Sequence, residues 1–422
     1  MADRLRVVCV GLVLAGLVVL PGSPPSAASS EELRIGSAKL DLTPPFPTPL
    51  AGYSRRRGQR STGVHDPLFV RAVLLQDADT TVALVSCDLL IVDEILFEAV
   101  RRKVEAAFTG RPPTLLLTAT HTHSGPGAYG RKFLEKLSMG HFDPRVFDFL
   151  ATRISEAVTA AASTMQPARL RDATGSAMGL VFNRMEPNGV VDAELAVVAF
   201  ETPAHQPLAI FVNFSAHPTT LGAWNMALSA DYPGVVVREL EARHPSAVCL
   251  FLAGAVGDQA PVKQGDGFGP AEWLGGELAG QAMTLLQSAS RESSTTVVAE
   301  QRLLPLAPAQ VRVGWLRLPS WLGQSLVDDD ATLTVVGVGP VVFFGVPCDL
   351  TAELGVEVKR ATRQRQRQPV IVGFANDYIG YCLSERAWRT RSYESSLAFN
   401  GPRTGEQIVE ELTRMLDVVT GR

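Results

Sequence analysis

Residues 114–127 of the chain read TLLLTATHTHSGPG. The apolar start of this stretch, residues 114–117, predicts a buried β-strand. The closing Ser124-Gly125-Pro126-Gly127 predicts a tight turn, which leaves the preceding histidines at the rim of a cavity. His121 and His123 are two positions apart, so in an extended strand end both imidazoles point to one face. A shared face suits a metal ligand beside a proton-transfer group, against the plainer alternative of two surface histidines.

The same strand pattern recurs on both sides of this stretch. Short apolar runs predict further buried strands at 82–85, 209–214, 248–252, 341–346 and 370–374. Helical periodicity lies between them, at 94–108, 147–162, 235–243, 274–289 and 406–419. The alternation predicts an α/β fold with a large mixed sheet flanked by helices. Polar or glycine-rich residues follow each strand, so we expect the active site at the C-terminal ends of the strands.

Composition excludes several classes of protein. The 422 residues include 46% hydrophobic ones, with 39 Lys+Arg against 43 Asp+Glu, and this is the profile of a globular protein with a large core. A nucleic-acid binder needs a basic face to neutralise phosphates. The net charge is -4 and the longest basic run is Arg55-Arg56-Arg57, so we expect no nucleic-acid partner.

The N-terminus has the pattern of a secretory signal peptide. Arg4 and Arg6 precede an apolar run at 7–20, and small residues follow up to Ala28. The run is shorter than the roughly 20 residues that a bilayer span needs, so a membrane anchor is the less favoured alternative. We therefore predict a signal peptide at 1–28 and a secreted, periplasmic or otherwise extracytoplasmic chain from 29 to 422. Its four cysteines lie in or beside apolar runs, which favours buried free thiols over a disulfide.

A third histidine and a carboxylate extend the predicted metal site. His217 follows the strand at 209–214, in the same context as His121. Catalytic zinc takes three protein ligands and keeps a position for water, so two histidines need one carboxylate. Asp349 follows the strand at 341–346; the carboxylates that remain open as competitors are Asp231, Asp258 and Asp377. A helical stretch follows Asp349, so capping of that helix is its alternative role.

An ordered series of motifs resembles the neutral/alkaline non-lysosomal ceramidase family. The motifs are DLTPP at 41–45, AGY at 51–53, GVHDPL at 63–68, THTHSGPG at 120–127, NR at 183–184, AHP at 216–218, SADYPG at 229–234, GD at 257–258 and NDYIGY at 376–381. The resemblance runs from about residue 34 to about residue 402 and implies a zinc cofactor. Carried over by position, it implies the zinc ligands His121, His217, Asp349 and Tyr381, and beside them the catalytic residues His123, Arg184 and Tyr393.

Three features depart from the family pattern; the first concerns the metal ligand and the other two concern the substrate. The family has a Glu after Pro-Gly, whereas this chain has Asp349 after Pro347-Cys348; Glu353 is the alternative carboxylate, one helical turn on. The family's ceramide hydrolases carry a catalytic serine where this chain has Ala260, which has no hydroxyl group. We also expect a single hydrolase domain at 29–422, without the separate C-terminal sandwich domain of those enzymes.

The resemblance implies a secreted zinc-dependent amidohydrolase that cleaves the amide bond of ceramide or a related N-acyl lipid into fatty acid and amine. Two alternatives remain: a hydrolase of the same fold that acts on another ester, lactone or amide, and a degenerate lipid-binding protein. We expect a small lipid or N-acyl compound as substrate, a transient contact with a membrane surface and no obligate protein partner.

Overall fold

The computed structural model of the chain describes residues 32–292, 296–313, 316–317 and 326–421, all within one compact unit. The predicted signal peptide lies outside the described residues, so that prediction and the domain boundary at residue 29 stay predictions. Within the described residues, no helix is long and apolar enough to cross a membrane.

Nine α-helices are described, together with a short 3-10 helix at Ser54–Arg56. They are α1 Glu94–Ala107, α2 Phe133–Met139, α3 Pro144–Ala162, α4 Asp231–Arg243, α5 Gly269–Ser288, α6 Ala352–Gln364, α7 Glu385–Trp388, α8 Tyr393–Ser396 and α9 Thr404–Val419. The five helices predicted from periodicity correspond to α1, α3, α4, α5 and α9, so their existence is confirmed. Their starts lie earlier than predicted where a polar or proline-containing first turn precedes the apolar periodicity.

The strands include every predicted one. They are β1 Arg34–Asp41, β2 Gly63–Val64, β3 Phe69–Gln76, β4 Thr81–Cys87, β5 Thr114–Ala119, β6 Gln166–Pro167, β7 Arg169–Ser176, β8 Val181–Asn183, β9 Glu194–Glu201, β10 Pro207–Phe214, β11 Ala227–Leu228, β12 Val248–Ala253, β13 Gln259–Pro261, β14 Ser290–Glu292, β15 Val297–Pro305, β16 Arg312–Val313, β17 Leu316–Arg317, β18 Asp330–Val338, β19 Val341–Gly345, β20 Asp349–Leu350, β21 Gln368–Val372 and β22 Tyr381–Cys382. The α/β class is confirmed.

The main strands form three mixed sheets that repeat one topology. The strand orders are β5-β4-β3-β1-β6 in the first sheet, β12-β10-β9-β7-β14 in the second and β15-β18-β19-β21 in the third. Each sheet contains three neighbouring antiparallel strands, which are followed by a helix and a last strand parallel to the third one. The crossover helices are α1, α4 and α6, and α3, α5 and α9 follow the respective last strands. This threefold repeat of structure has no counterpart in the sequence pattern.

The three sheets share one apolar core. Each sheet contributes fully buried side chains to it, for example Leu84 from the first, Phe211 from the second and Phe343 from the third. The rings of Phe211 and Phe343 lie 5.9 Å apart across the boundary between two sheets. The opposite face of each sheet packs on its helices, as with Phe344 against α6 and α9. Because both faces are buried, the strands are continuous apolar runs in the sequence.

Candidate metal centre

Three histidine side chains meet at one point. The Nε2 atom of His217 lies 2.9 Å from Nε2 of His121 and 2.9 Å from Nε2 of His123, and the last two atoms are 3.3 Å apart. His121 and His123 follow β5 of the first sheet, and His217 follows β10 of the second. The structure therefore brings together, from two sheets, the histidines that the sequence analysis singled out.

Backbone carbonyls orient two of the imidazoles. Nδ1 of His121 lies 2.6 Å from the carbonyl oxygen of Leu90, and Nδ1 of His217 lies 3.4 Å from that of Val256. A carbonyl oxygen only accepts hydrogen bonds, so both Nδ1 atoms carry the proton and both Nε2 atoms present lone pairs. Two lone pairs facing each other at 2.9 Å repel unless a cation lies between them.

A proton does not fill this position near neutral pH. Burial lowers the pKa of His121 to about 3, and burial also holds the pKa values of His123 and His217 well below their usual value. The imidazoles are therefore neutral, which is the protonation state in which histidine binds a metal. Zinc–nitrogen bonds of about 2.0–2.1 Å place two tetrahedral ligands about 3.3 Å apart, close to the separations observed here.

Asp349, which follows β19 of the third sheet, completes the group. Its Oδ1 atom lies 3.5 Å from Nε2 of His121 and has no hydrogen-bond partner, although the residue is only 1% exposed. Its Oδ2 atom accepts a hydrogen bond of 2.8 Å from the Tyr378 hydroxyl. Burial raises the pKa of Asp349 to about 7, since nothing else in the site neutralises the charge fully. An unpartnered buried oxygen beside three converging imidazole nitrogens fits a metal ion.

The other carboxylates lie elsewhere. Asp231 accepts hydrogen bonds from the backbone of Leu221 and Tyr232, and Asp258 accepts from the backbone of Ala352 and from Asn183. Glu353 accepts from the Ser384 hydroxyl, away from the histidines, and Asp377 accepts from the backbone nitrogen of Tyr378. Capping is not the role of Asp349, because the N-cap of α6 is Thr351. Of the carboxylates that sequence reasoning left open, Asp349 is thus the one paired with a histidine of the group.

Tyr381 and Arg184 lie beside Asp349 and are hydrogen-bonded to each other. Tyr381 in β22 stands opposite Asp349 in β20, and its hydroxyl accepts a 2.9 Å hydrogen bond from Nη2 of Arg184. The same Nη2 donates to the carbonyl of Gly257, and Nε of Arg184 lies 3.1 Å from Glu394. Burial holds the pKa of Tyr381 well above its usual value. Its predicted role as a zinc ligand stays a prediction.

Tyr393, the last of the predicted residues, lies at the entrance of the site. Its ring centre is 6.3 Å from that of Tyr381, and the residue is 67% exposed. It lines the same cavity as His121, His123 and Asp349. All seven predicted site residues therefore belong to one connected group, with Arg184 reached through Tyr381.

Sequence reasoning missed the residues that pack against the histidines. Phe374 stacks on His121 with ring centres 3.7 Å apart, and Tyr53 lies 4.9 Å from His123. A Cβ atom added at Gly52 would lie 2.5 Å from Nδ1 of His123, so only glycine fits there. The motifs at 51–53 and 376–381 were the available signals, since they contain or adjoin these residues.

The backbone at His121 also departs from the prediction. β5 ends at Ala119, and His121 has φ 64°, in the left-handed region that a non-glycine residue rarely adopts. The two imidazoles do face one site, but the alternation of an extended strand is not the reason. The strained residue turns its ring between Leu90 and Phe374, which fixes the direction of Nε2.

His121, His123 and Asp349 line a cavity of about 420 Å³. Its lining surface is mainly apolar, and the aliphatic and phenylalanine side chains that contribute are Leu90, Ile91, Leu134, Leu137, Leu326, Val327, Ile379, Leu397 and Phe399. The group thus stands in the wall of a largely apolar cavity.

Comparison with known proteins decides the family. Residues 33–267, more than half of the chain, match neutral/alkaline non-lysosomal ceramidase, N-terminal. The chain belongs to this ceramidase family. The match includes His121, His123, Arg184 and His217, and it ends before Asp349.

Individual relatives extend the likeness. Neutral ceramidase of Pseudomonas aeruginosa is 24% identical over 93% of this chain and 73% of its own length. Those of Mycobacterium tuberculosis and Dictyostelium discoideum (neutral ceramidase A) are 27% and 26% identical, over 37% and 30% of their own lengths. The chain therefore matches only about a third of these two relatives.

Solved structures of ceramidases share the fold. The crystal structure of the Pseudomonas aeruginosa neutral ceramidase superposes with a TM-score of 0.84, at 20% identity, and covers 93% of this chain and 75% of that one. A ceramidase complexed with C2 gives a TM-score of 0.82 at 19% identity, over 93% of this chain and 76% of the other. The three-sheet architecture, including the part that carries Asp349, is thus a ceramidase fold.

Proposed function

We propose that this protein is a zinc-dependent hydrolase that cleaves the amide bond of ceramide or a related N-acyl lipid, releasing fatty acid and amine. The observation that carries the proposal is the convergence of three imidazole nitrogens with the unpartnered Oδ1 of Asp349 in the wall of an apolar cavity. Membership of the ceramidase family and the names of the relatives supply the reaction class.

His121, His217 and Asp349 would hold the zinc ion, with Tyr381 as the fourth ligand that the family resemblance implies. A bound zinc ion supplies a Lewis acid for the substrate carbonyl and lowers the pKa of water toward neutrality. The protein residues fix the geometry: the carbonyls of Leu90 and Val256 set the tautomers, and Tyr378 holds the carboxylate of Asp349.

The remaining residues handle the proton and the substrate. His123 is neutral because of its burial, so its Nε2 is able to accept a proton and return it to the departing amine. Its ring packs against Tyr53 and Gly52, which limits its rotation. Tyr393 presents its hydroxyl at the cavity entrance as a hydrogen-bond donor to the substrate, and Arg184 holds Tyr381 in place.

Ala260 favours a second candidate, a hydrolase of the same fold acting on another ester, lactone or amide. Ala260 lies in β13 opposite Phe182 of β8, and its methyl group donates no hydrogen bond. The neighbouring Gln259 does not replace the missing hydroxyl, because its amide is buried and bound to Val190, Asp258 and Asp192. The loss of one oxyanion donor typically costs about 2.7–4 kcal/mol of transition-state stabilisation.

The test combines metal content with turnover. The purified protein should contain one zinc per chain by elemental analysis, and should release fatty acid from fluorescent ceramide in a chelator-sensitive way. His217→Ala should lose both zinc and activity, whereas His244→Ala, in the loop after α4, should lose neither. Zinc without ceramide turnover, but with turnover of an ester or lactone in a substrate panel, would favour the second candidate. Zinc with lipid binding and no turnover would favour a degenerate binding protein.

The N-terminal segment supports an extracytoplasmic location, which we add to the proposal. Its basic start, apolar run and small residues up to Ala28 match a cleaved signal peptide. N-terminal sequencing of protein recovered from the culture medium or periplasm should begin near Ser29. An intact Met1 on the exported protein would favour the membrane anchor instead.

A further inference from the structure

Helix α2 forms one side of the cavity and also carries exposed apolar side chains. Phe133 and Leu137 are 60% and 54% exposed, and the i,i+4 spacing places them on one side of the helix. Leu134, Leu137 and Ser138 of the same helix line the cavity. The exposed apolar surface of α2 is therefore continuous with the interior of the cavity.

Exposed basic residues surround this apolar surface. The 3-10 helix at Ser54–Arg56 lies beside α2, since the backbone nitrogen of Gly52 donates to the carbonyl of Ser138. Besides the buried Arg56 and the ion-paired Lys132, the basic residues of this region are Arg55, Arg57, Arg60, Arg131 and Lys136, and all of these five but Lys136 are exposed. Among the described residues, no ion pair within 4.0 Å involves any of the five. Of the charged residues that line the cavity, Asp328 is paired with Lys132 and Glu135 is buried, so these five basic residues give the surface an excess of exposed positive charge in a chain whose net charge is -4.

The cavity opens within this basic and apolar face. Ser54, Arg55, Leu137 and Tyr393 are the exposed residues of the cavity lining. They mark its mouth, and two of them present apolar or aromatic surface to the solvent. A lipid that enters the cavity therefore passes between α2, the 3-10 helix and Tyr393.

We propose that this face, which we call the mouth face and define by Arg55, Arg57, Arg60, Phe133, Leu137 and Tyr393, docks on an anionic lipid surface. Phe133 and Leu137 would insert at the level of the acyl-chain boundary while the arginines contact anionic headgroups. Docking aligns the cavity mouth with lipid in the bilayer, so that the substrate enters without crossing water. The proposal names the surface from which the proposed hydrolase takes its substrate, and to that extent rests on the proposed function.

Vesicle binding tests the mouth face directly. The probes are vesicles of phosphatidylcholine alone and of phosphatidylcholine with phosphatidylserine, with co-sedimentation as the readout. The protein should pellet with the anionic vesicles and much less with the neutral ones, and added salt should weaken the binding. Equal binding to both vesicle types, or binding to neither, would overturn the proposal.

Two variants outside the cavity lining separate the apolar and ionic contributions. Phe133→Ser should weaken partition into anionic vesicles by about tenfold. Arg57→Glu with Arg60→Glu should abolish the preference for anionic vesicles. The matched controls are Met178→Ser, 69% exposed at another surface, and Arg102→Glu with Lys103→Glu on the exposed side of α1; both should bind like the unaltered protein.

Activity assays keep this proposal distinct from the proposed function. With a short-chain, water-soluble N-acyl substrate, Phe133→Ser should retain its turnover, because Phe133 does not line the cavity; only turnover of vesicle-embedded substrate should fall. Phe133-dependent vesicle binding without hydrolysis of any substrate would support the mouth face and refute the hydrolase. Concentration-dependent self-association that Phe133→Ser abolishes would assign the face to a second copy of the chain and overturn the proposal.

Discussion

Oδ1 of Asp349 lies 3.5 Å from Nε2 of His121, and the two residues come from different sheets. His121 follows a strand of the first sheet, His217 one of the second and Asp349 one of the third. Each unit of the threefold repeat therefore supplies one member of the predicted ligand set. A metal ion bound to all three would tie together the three sheets at their strand ends.

This relationship predicts that metal removal destabilises the whole domain. A ligand present at about 1,000 times its dissociation constant stabilises the folded state by about 4.1 kcal/mol. We expect a chelator to lower the melting temperature measured by calorimetry, and added zinc to restore it. His121→Ala should melt at one temperature with and without chelator. If chelator does not change the melting temperature of the unaltered protein, a metal ion does not bridge the three sheets.

Removing the charge of Asp349 should abolish zinc binding and turnover, whereas removing the charge of Glu353 should leave both nearly unchanged. Asp349→Asn keeps the size of the side chain but removes the charge beside His121, so zinc content and turnover should both be lost. Glu353→Gln changes a side chain that binds Ser384 and Arg386, and should leave both quantities within about twofold. Elemental analysis and ceramide turnover measure the outcome. Loss of zinc in Glu353→Gln alone would reverse the assignment.

Tyr378 should act through Asp349. Tyr378→Phe removes the 2.8 Å hydrogen bond to Oδ2 and leaves the ring packing against Phe374. Loss of such an outer partner typically weakens metal affinity by about 10-fold to 100-fold. Competition with a chromophoric zinc chelator measures this affinity, and saturating zinc should restore most of the turnover. An unchanged affinity would show that Tyr378 does not position the carboxylate.

Gly52 should be required for the position of His123. Gly52→Ala places a Cβ atom 2.5 Å from Nδ1 of His123, at a backbone φ of 101° that alanine rarely adopts. We expect a loss of stability of about 1–3 kcal/mol and a lower kcat. Gly276→Ala is the matched control, because a Cβ there meets no atom within 4 Å and alanine favours the α5 helix. Denaturant unfolding and turnover distinguish the two; equal behaviour would rule out the steric role.

Asp93 should make the domain less stable as the pH rises. Burial, with Glu135 nearby, raises the pKa of Asp93 to about 7, above the unfolded value of about 3.9. Between these values the folded protein holds a proton that the unfolded chain has released, so the free energy of unfolding falls with increasing pH. Asp93→Asn keeps the cap on Leu96 and removes the charge.

The matched comparison for Asp93 is Asp143, the partly exposed N-cap of α3. Urea unfolding at pH 5 and pH 8, both with chelator, should show that Asp93→Asn gains stability over the unaltered protein only at the higher pH. Asp143→Asn should show no such gain. A larger gain for Asp93→Asn at pH 5 than at pH 8 would contradict the raised pKa.

The amino-acid sequence by itself determined the strands, the helices and the motif-bearing ends of the strands. These features are local: a strand buried on both faces needs a continuous apolar run, and a helix on its outer face needs apolar residues at helical spacing. The family motifs also pointed to His121, His123 and His217. The boundaries were less accurate where caps precede the periodicity, as at Asp231, which begins α4.

Only the tertiary structure decided how these pieces combine. The division of the strands into three repeated sheets depends on which strands pair, and Phe211 packs on Phe343 although their sequence neighbourhoods share no motif. Tertiary contacts likewise placed Asp349 rather than Glu353 beside His121, set Tyr378 on its second oxygen and brought Gly52 against His123. Such contacts join residues far apart in the chain, so no local periodicity or spacing encodes them.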